Sequence, residues 1–154
     1  MSPRPNAPAF ELGAGVYIIS PEGKLLLADQ ERPGRRNWVS FGGGIEHGES
    51  IEQCAIREAR EESGLHVRLQ RLIAINEFWS SGRFWGVGFL FLAEPDPWPQ
   101  EVLLPERDGS ALFHDHAWFT RDQLPALNMP PEEFCLQHWP PEVTRPVVLH
   151  LEFD

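Results

Sequence analysis

Short hydrophobic runs, separated by glycine, proline and polar residues, predict that β-strands outnumber helices in this chain. The segments GAGVYIIS and KLLLADQ are rich in β-favouring residues and are separated by the turn signal PEG. A longer apolar segment, FWGVGFLFLAE, predicts a buried strand. The predicted strands cover residues 13–20, 24–30, 38–41, 65–79 (as one or two strands), 84–94, 111–120 and 145–153.

One longer helix is predicted at residues 51–63. Ser50 is a suitable N-cap, Gln53 completes a capping-box pattern, and Gly64 suits the left-handed residue that follows a helix. Shorter helical candidates cover residues 121–127 and 130–139. Because strands outnumber helices and the two alternate irregularly, we expect an α/β fold with helices packed against a sheet.

Three segments without a strand or helix pattern are predicted to be loops. Residues 31–37 (ERPGRRN) form a basic loop, and residues 42–50 (GGGIEHGES) form a glycine-rich loop. Residues 95–110 form a long loop that contains several prolines. Because long loops in compact domains often carry function, we expect this last loop to border a site.

The predicted helix carries three glutamates in a position that is unusual for a solvent-exposed helix. At about 100° per residue, Glu62 lies roughly 40° to one side of Glu58, and Glu61 lies roughly 60° to the other. The apolar residues Ile51 and Cys54 lie within about 40° of Glu58 on the same helical wheel. We therefore expect Glu58 and Glu62 to be at least partly covered by the rest of the fold.

Covered carboxylates need an explanation, and the wheel leaves two open. Without a partner, such groups would lose several kcal/mol of solvation or would take up protons. A bound divalent cation such as Mg²⁺ or Mn²⁺ would remove this cost, because hard cations prefer carboxylate oxygen. Alternatively, the helix tolerates its charges without a ligand.

Composition limits the classes of partner. A chain of 154 residues suits one domain, which we expect at residues 11–154 after a flexible tail at residues 1–10. The net charge of −10 argues against binding to nucleic-acid polymers, although cations could offset it for a phosphorylated small molecule. Two cysteines are too few for a disulfide framework, and no apolar run approaches a membrane span. We therefore expect a cytoplasmic protein that does not enter a membrane.

The segment Gly43–Leu65 resembles the Nudix box. That pattern has a glycine, five residues, a glutamate, seven residues, Arg-Glu, an apolar residue, any residue, Glu-Glu, any residue, a glycine and an apolar residue. After the first glycine, Glu49 and the run REAREESGL (57–65) occupy the defined positions. Ala59 is smaller than the aliphatic residue usual in the family, and Phe41 stands where many members have proline. Neither difference removes a ligand.

The resemblance implies both a fold and an activity. The implied fold is the Nudix-type α/β/α sandwich built on a mixed β-sheet. The implied activity is hydrolysis of a diphosphate linkage in a nucleoside diphosphate derivative, by in-line attack of a metal-bound water. The implied cofactor is Mg²⁺, with Mn²⁺ as a substitute.

Site residues are carried over from the Nudix box position by position. The implied metal ligands are Glu58, Glu61, Glu62 and the carbonyl oxygen of Gly42. The implied catalytic residues are Glu49, Arg57, Glu58 and Glu61. Within this set, Glu49 and Arg57 would form an ion pair that braces the glycine-rich loop against the helix.

Residues outside the box are candidates for binding the substrate. Arg35 and Arg36, with Arg32 nearby, could hold a distal phosphate by bidentate contacts, or they could belong to a solvated basic loop. One aromatic residue near the predicted turn at 80–83 could stack on a base, although strand aromatics are more often part of the core. The aromatic candidates are Phe78, Trp79, Phe84 and Trp85.

The family often uses a further acid from a late loop, and several residues could supply it. We place it at Glu106, with Asp115 as the second choice; Glu101 and Asp108 are the other candidates. His114 and His116 alternate in a predicted strand and so point the same way, but a zinc site would need a third ligand. Two alternatives stay open: the histidines form a polar strand face, or one of them contacts the substrate.

Three functions remain to be compared. The first is hydrolysis of a nucleoside triphosphate, ADP-ribose, a nucleotide sugar or a dinucleoside polyphosphate. The second is a non-hydrolytic nucleotide-binding or sensing module, which the intact set of acids disfavours. The third is an unrelated α/β protein with a charged helix, which would require the complete spacing to be accidental. A homodimer is left open.

Overall fold

The computed structural model describes residues 9–153, which form two β-sheets, one α-helix and three short 3₁₀ helices. The strands are β1 (Glu11–Ile18), β2 (Leu25–Arg32), β3 (Arg35–Val39), β4 (Phe41–Gly44), β5 (Val67–Ser80), β6 (Arg83–Pro95), β7 (Arg107–Asp108), β8 (Ala111–Phe119) and β9 (Val147–Glu152). The helix α1 covers Ile51–Ser63, and the 3₁₀ helices cover Arg121–Ala126, Phe134–Leu136 and Pro140–Glu142.

The five-stranded sheet is mixed and has the order β4-β1-β6-β5-β9. Strands β1 and β6 are parallel, as are β5 and β9, whereas β4 runs antiparallel to β1 and β5 antiparallel to β6. The four-stranded sheet, β3-β2-β8-β7, is antiparallel throughout. The expected α/β fold with a mixed sheet is confirmed.

Alternating residues of the central strands face two separate hydrophobic cores. In β1, Val16 and Ile18 belong to the core that contains Cys54 and Ala59 of α1. Tyr17, between them, belongs to the core on the opposite face of the strand. Residues of the 3₁₀ helices complete that second core. Prolines such as Pro125 explain why short 3₁₀ helices form here instead of a longer α-helix, because proline interrupts an α-helix.

The helix α1 has the predicted bounds and caps. The hydroxyl of Ser50 accepts a hydrogen bond from the Gln53 amide, and the Gln53 side chain accepts one from the Ser50 amide. Gly64 follows with φ +77°, a left-handed conformation in which a residue with a side chain would be strained. This helix packs mainly against β1 and β4 and thereby presents its glutamates to the glycine-rich strand.

Several predicted loops contain strands. Strand β3 lies partly in the predicted basic loop, β4 in the predicted glycine-rich loop, and β7 in the predicted long loop. These strands are short, and they form because they pair with neighbouring strands. Local residue preferences do not predict such pairing. Conversely, residues 65–79 contribute one continuous strand, β5, with irregular pairing to β6 at three points.

Two sequence expectations concern the ends of the chain and the membrane. Residues 1–8 of the predicted tail and residue 154 lie outside the described residues, so the division into tail and domain stays a prediction. No helix within residues 9–153 is both long and apolar enough to cross a membrane.

Candidate metal centre and adjoining cleft

Two carboxylates of α1 and one from β7 form a compact acidic cluster. Glu58 and Glu62 lie one helical turn apart, and only 7% and 4% of their surfaces are exposed, as the helical wheel predicts. Asp108, which is exposed, joins them from the end of β7. One ligand atom from each of the three residues lies within 4.8 Å of the other two, a spacing that could hold a metal ion.

The glycine-rich strand β4 forms the other wall of this cluster. The amide of Gly42 donates a 2.8 Å hydrogen bond to Oε1 of Glu62. A Cβ at Gly43 would lie 2.4 Å from Oε1 of Glu58, so only glycine allows this carboxylate to lie against the strand. The first glycine of the box is therefore needed for space at the acidic cluster.

The electrostatics of the cluster favour a cation. The pKa of Glu62 is raised to about 8, mainly by burial; the charges of Glu58 and Asp108 add to this shift, and the hydrogen bond from the Gly42 amide opposes it. Burial also raises the pKa of Glu58, although Arg57 opposes this shift. A divalent cation would offset the desolvation and the mutual repulsion together.

Arg57 connects the glycine-rich segment to the helix. Its guanidinium makes a bidentate ion pair with Glu49, at 3.0 Å from Nε to Oε2 and 2.7 Å from Nη2 to Oε1. It also donates to the Gly44 carbonyl, to Glu58 and to Glu61, at 2.9, 2.9 and 3.1 Å. Hydrogen bonds from Arg57 and from the Glu46 amide lower the pKa of Glu49 to about 2. The ion pair implied by the Nudix box is thus present in the structure.

The third glutamate of the box lies on the wet edge of the cluster. The Glu61 side chain is 56% exposed, and its carboxylate accepts a hydrogen bond from Arg57. Within residues 9–153, the compact cluster contains Glu58, Glu62 and Asp108 but not Glu61. The metal-binding roles of Glu61 and of the Gly42 carbonyl stay predictions.

The late acid that reaches the buried glutamates is Asp108 instead of Glu106. Asp108 pairs with Ala111 in a tight hairpin, and Gly109 in its turn has φ +59°. Backbone pairing continues to Glu106, whose carbonyl oxygen accepts from the Phe113 amide. The two-residue loop is Gly109-Ser110, and glycine at the first loop position is a hairpin signal that could have directed attention to Asp108. A substrate contact by Glu106 stays a prediction.

The other late-loop candidates also lie outside the acidic cluster. Oδ1 of Asp115 accepts a hydrogen bond from the neighbouring His116 amide at 2.8 Å. Nε2 of His114 lies 2.8 Å from Oε1 of Glu31. Neither histidine belongs to a metal-binding group of three side chains among the described residues.

A cleft of about 490 Å³ begins at β4, beside the acidic cluster. Arg35 lines it, whereas Arg36 is held by a bidentate ion pair with Asp29, at 3.0 and 2.8 Å. Arg32 donates to Ser110 Oγ at 3.3 Å, and its positive charge slightly lowers the pKa of Glu62. The structure therefore separates the three arginines, and phosphate binding by Arg35 and Arg36 stays a prediction.

The cleft has aromatic walls. Phe78 and Trp85 line it and stack on each other with ring centroids 5.0 Å apart. Trp79 instead stacks on His150, and Phe84 meets the edge of Trp79. Of the four aromatic candidates, Phe78 and Trp85 are the pair that lines the cleft.

The chain is similar to known proteins in both sequence and fold. The sequence profile described as NUDIX domain matches residues 9–139. The chain is 32% identical over 110 residues to human 8-oxo-dGDP phosphatase NUDT18, covering 71% of this chain and 32% of that protein. It is 38% identical over 103 residues to the NAD-capped RNA hydrolase NudC of Mycobacterium tuberculosis, covering 67% and 30%. The chain thus spans about a third of the length of these curated relatives.

A solved structure resembles the whole fold. The NUDIX hydrolase from Nitrosomonas europaea superposes with a TM-score of 0.75 at 19% identity. The match covers 96% of this chain and 82% of that one. At this identity the likeness concerns the fold.

Proposed function

Because this chain belongs to the Nudix family, we propose that it hydrolyses a diphosphate linkage in a nucleoside diphosphate derivative with a divalent cation, preferably Mg²⁺. The observation that carries the proposal is the acidic cluster of Glu58, Glu62 and Asp108 beside an open cleft. Two of these acids are buried, and the pKa of each is raised. A site of this composition favours a hard cation.

The chain's own residues divide the work. Glu58, Glu62 and Asp108 would hold the ion, with Glu61 and the Gly42 carbonyl as the further predicted ligands. A bound Mg²⁺ supplies charge neutralisation on the diphosphate and makes water more acidic. Glu61, exposed next to the buried acids, would orient the attacking water, and Arg57 would fix the positions of Glu58 and Glu61 through its hydrogen bonds.

The substrate remains a matter of proposal within this class. One relative is named for 8-oxo-dGDP and another for NAD-capped RNA, so the names alone allow oxidised nucleotides as well as dinucleotide caps. The net charge of −10 favours a small molecule over a nucleic-acid polymer. We therefore propose nucleoside triphosphates, ADP-ribose, nucleotide sugars and dinucleoside polyphosphates as the panel to test.

The alternative is a non-hydrolytic module that binds or senses nucleotides. Every acid of the Nudix box is retained in this chain, and Arg57 has the hydrogen bonds needed to position the catalytic acids. A sensing module has no need of these groups, which is why we favour hydrolysis.

The test is a substrate panel with Mg²⁺ or Mn²⁺, read by the identity of the products. We expect a nucleoside monophosphate as one product, and we expect Glu61→Gln to reduce turnover by orders of magnitude. Glu52→Gln, an exposed glutamate on the same helix, is the matched control. Nucleotide binding without any turnover would favour the sensing module, and a near-normal rate for Glu61→Gln would refute the role of Glu61.

Two further properties belong to this proposal. We propose a cytoplasmic protein, where the free thiols of Cys54 and Cys135 would stay reduced. A homodimer stays a prediction, which sedimentation of the purified chain would test.

A further inference from the structure

The cleft beside the acidic cluster extends along β4 to a second set of polar residues, which the proposed hydrolysis does not use. The amide of Gly42 contacts Glu62, and two residues earlier Ser40 Oγ lies 3.4 Å from Oε2 of Glu133. Ser40, Asn76 and Glu133 all line the cleft, and we call them its polar end.

Glu133 is held in a fixed position at the polar end. The hydroxyl of Tyr17, which is 1% exposed, donates a 2.6 Å hydrogen bond to Oε2 of Glu133. Burial raises the pKa of Glu133, and the hydrogen bonds from Tyr17 and Ser40 only partly oppose this shift. Because a carboxylate has about four acceptor sites, the group can accept further N–H donors from a ligand, which would stabilise its charge.

The side-chain oxygen of Asn76 lacks a hydrogen-bond donor. Its Oδ1 is buried and has no hydrogen-bond partner, a condition found for no other side-chain atom in the described part of the chain. A buried acceptor without a partner costs about 1–3 kcal/mol, and native proteins keep few of them. Asn76 lines both the main cleft and a smaller hollow of about 170 Å³ that also contains Glu133.

The surroundings suit a flat ring. Phe78 and Trp85 supply aromatic surface, and Leu90 adds an apolar contact. Phe78 and Asn76 each line both hollows, so aromatic surface and the side chain with the unpaired oxygen occur together in each of them. A Cβ at Gly88 would lie 2.8 Å from the Phe78 ring, so this position of Phe78 depends on the glycine.

We propose that Asn76 and Glu133 determine base specificity by accepting hydrogen bonds from a heterocycle edge that presents at least two N–H donors. The inference rests on the proposed nucleotide hydrolysis and names the part of the substrate that the acidic cluster does not contact. Guanine meets the requirement with its ring N–H and its amino group. Adenine has only an amino group on its corresponding edge, and hypoxanthine lacks the second donor of guanine. Tyr17 is a positioning residue, because it acts through Glu133.

The experiment measures binding without metal and without turnover. Guanosine, inosine and adenosine 5′-monophosphates are titrated into the full chain, and NMR shifts are followed to millimolar concentrations. We expect guanosine monophosphate to bind about tenfold or more tightly than the other two, because each lacks a donor that a buried acceptor needs. Equal affinities, tighter binding of the adenine nucleotide, or no binding at all would overturn the proposal.

Variants connect the preference to the named residues. In Glu133→Gln the side-chain amide has one acceptor oxygen, and its NH₂ group would meet the N–H donors of guanine. The ratio of the affinities for guanosine and inosine monophosphates should therefore fall to about one. Tyr17→Phe keeps the ring in the core and should lower the same ratio by loosening Glu133. The exposed Glu142→Gln, with the same charge change, is the matched control. An unchanged ratio in folded Glu133→Gln would overturn the assignment.

The same experiment separates this inference from the proposed function. If guanosine selectivity is present but no nucleotide is hydrolysed with Mg²⁺, the base site stands and hydrolysis fails. If hydrolysis occurs without base selectivity, the role of the acidic cluster in hydrolysis stands, and the role of the polar end in base recognition is refuted.

Discussion

Glu133 lines the polar end of the cleft, whereas Glu62 contacts the glycine-rich strand β4 that borders the cleft, and the fold surrounds the two carboxyl groups in different ways. Glu62 has one backbone donor, Gly42, and lies in a cluster with two other acids. Glu133 has hydrogen bonds from Tyr17 and Ser40, and within the described residues it belongs to no acidic cluster of three. Burial raises the pKa of both groups. We therefore expect the cluster around Glu62 to need a cation and the polar end around Glu133 to need hydrogen-bond donors.

The largest expected effect comes from neutralising one carboxylate of the acidic cluster. Glu62→Gln removes a charge that we assign to the ion while keeping a group that can accept from the Gly42 amide. A loss of several kcal/mol in transition-state stabilisation corresponds to a decrease in kcat of more than about 100-fold. Steady-state kinetics with saturating Mg²⁺ on the best substrate of the panel measures it. A kcat within threefold or so of wild type would remove Glu62 from the site.

The next effect concerns Arg57, which connects the glycine-rich segment to the helix beside the acidic cluster. Arg57→Ala removes the ion pair with Glu49 and leaves Glu58 and Glu61 without a common donor. We expect activity to fall by about 10–100-fold and urea unfolding to occur at a lower midpoint. Arg68→Ala, which breaks a surface pair with Glu94, is the control, because exposed pairs contribute little. If both variants behave alike, Arg57 has only a surface role.

A smaller effect is expected from adding one methyl group to β4. In Gly43→Ala the new Cβ must displace the Glu58 carboxylate, so we expect Mg²⁺ affinity to decrease about tenfold. Gly44→Ala is a sharp control, because its Cβ would have no heavy atom nearer than the Leu12 carbonyl oxygen at 3.9 Å. Calorimetric titration of both variants compares them. Equal affinities would show that the close contact of Glu58 with Gly43 is unimportant for the ion.

The last expected effect concerns stability instead of activity: it is a pH dependence of unfolding that a cation should suppress. The pKa of Glu62 is raised to about 8 in the folded chain, above its ordinary value near 4.5. The folded state therefore binds the proton more tightly, so this stabilisation is complete below about pH 4.5 and is lost as the pH rises through about 8. The shift of Glu49 has the opposite sign but acts at about pH 2 to 4.5.

Denaturant unfolding with a chelator, from about pH 5 to about pH 8.5, measures this slope. We expect stability to fall with pH in the metal-free chain, to fall less in Glu62→Gln, and to recover when Mg²⁺ is added at the upper end. A slope that is the same in Glu62→Gln would assign it to other groups, such as Glu133.

The helix and its buried acids could be predicted because they depend on local periodicity. The capping residues Ser50 and Gln53 set the start of α1, and the angular positions of Glu58 and Glu62 followed from the helical repeat. The fold class followed from strand patterns and from the resemblance of the Nudix box.

The remaining site residues depend on contacts between distant segments. Asp108 reaches the cluster through a hairpin whose two-residue strand is too short to show a strand pattern, so its turn residues were the only local signal. Arg36 is directed to Asp29 by the β2–β3 hairpin, in a region that reads as a loop. Asn76 and Glu133 lie 57 positions apart and line one cleft only because β5 and the residue before the Phe134–Leu136 3₁₀ helix both border it. No local signal reports such a meeting.

The most direct test of the central claim is a calorimetric titration of the metal-free chain with Mg²⁺ and with Mn²⁺, comparing wild type with Asp108→Asn and Glu62→Gln. The exposed Asp122→Asn is the matched control. We predict binding to wild type and to Asp122→Asn, and affinities at least about tenfold lower for the two cluster variants. An absence of binding heat with an unchanged unfolding temperature, or equal affinities for all four proteins, would contradict the claim that Glu58, Glu62 and Asp108 hold the ion.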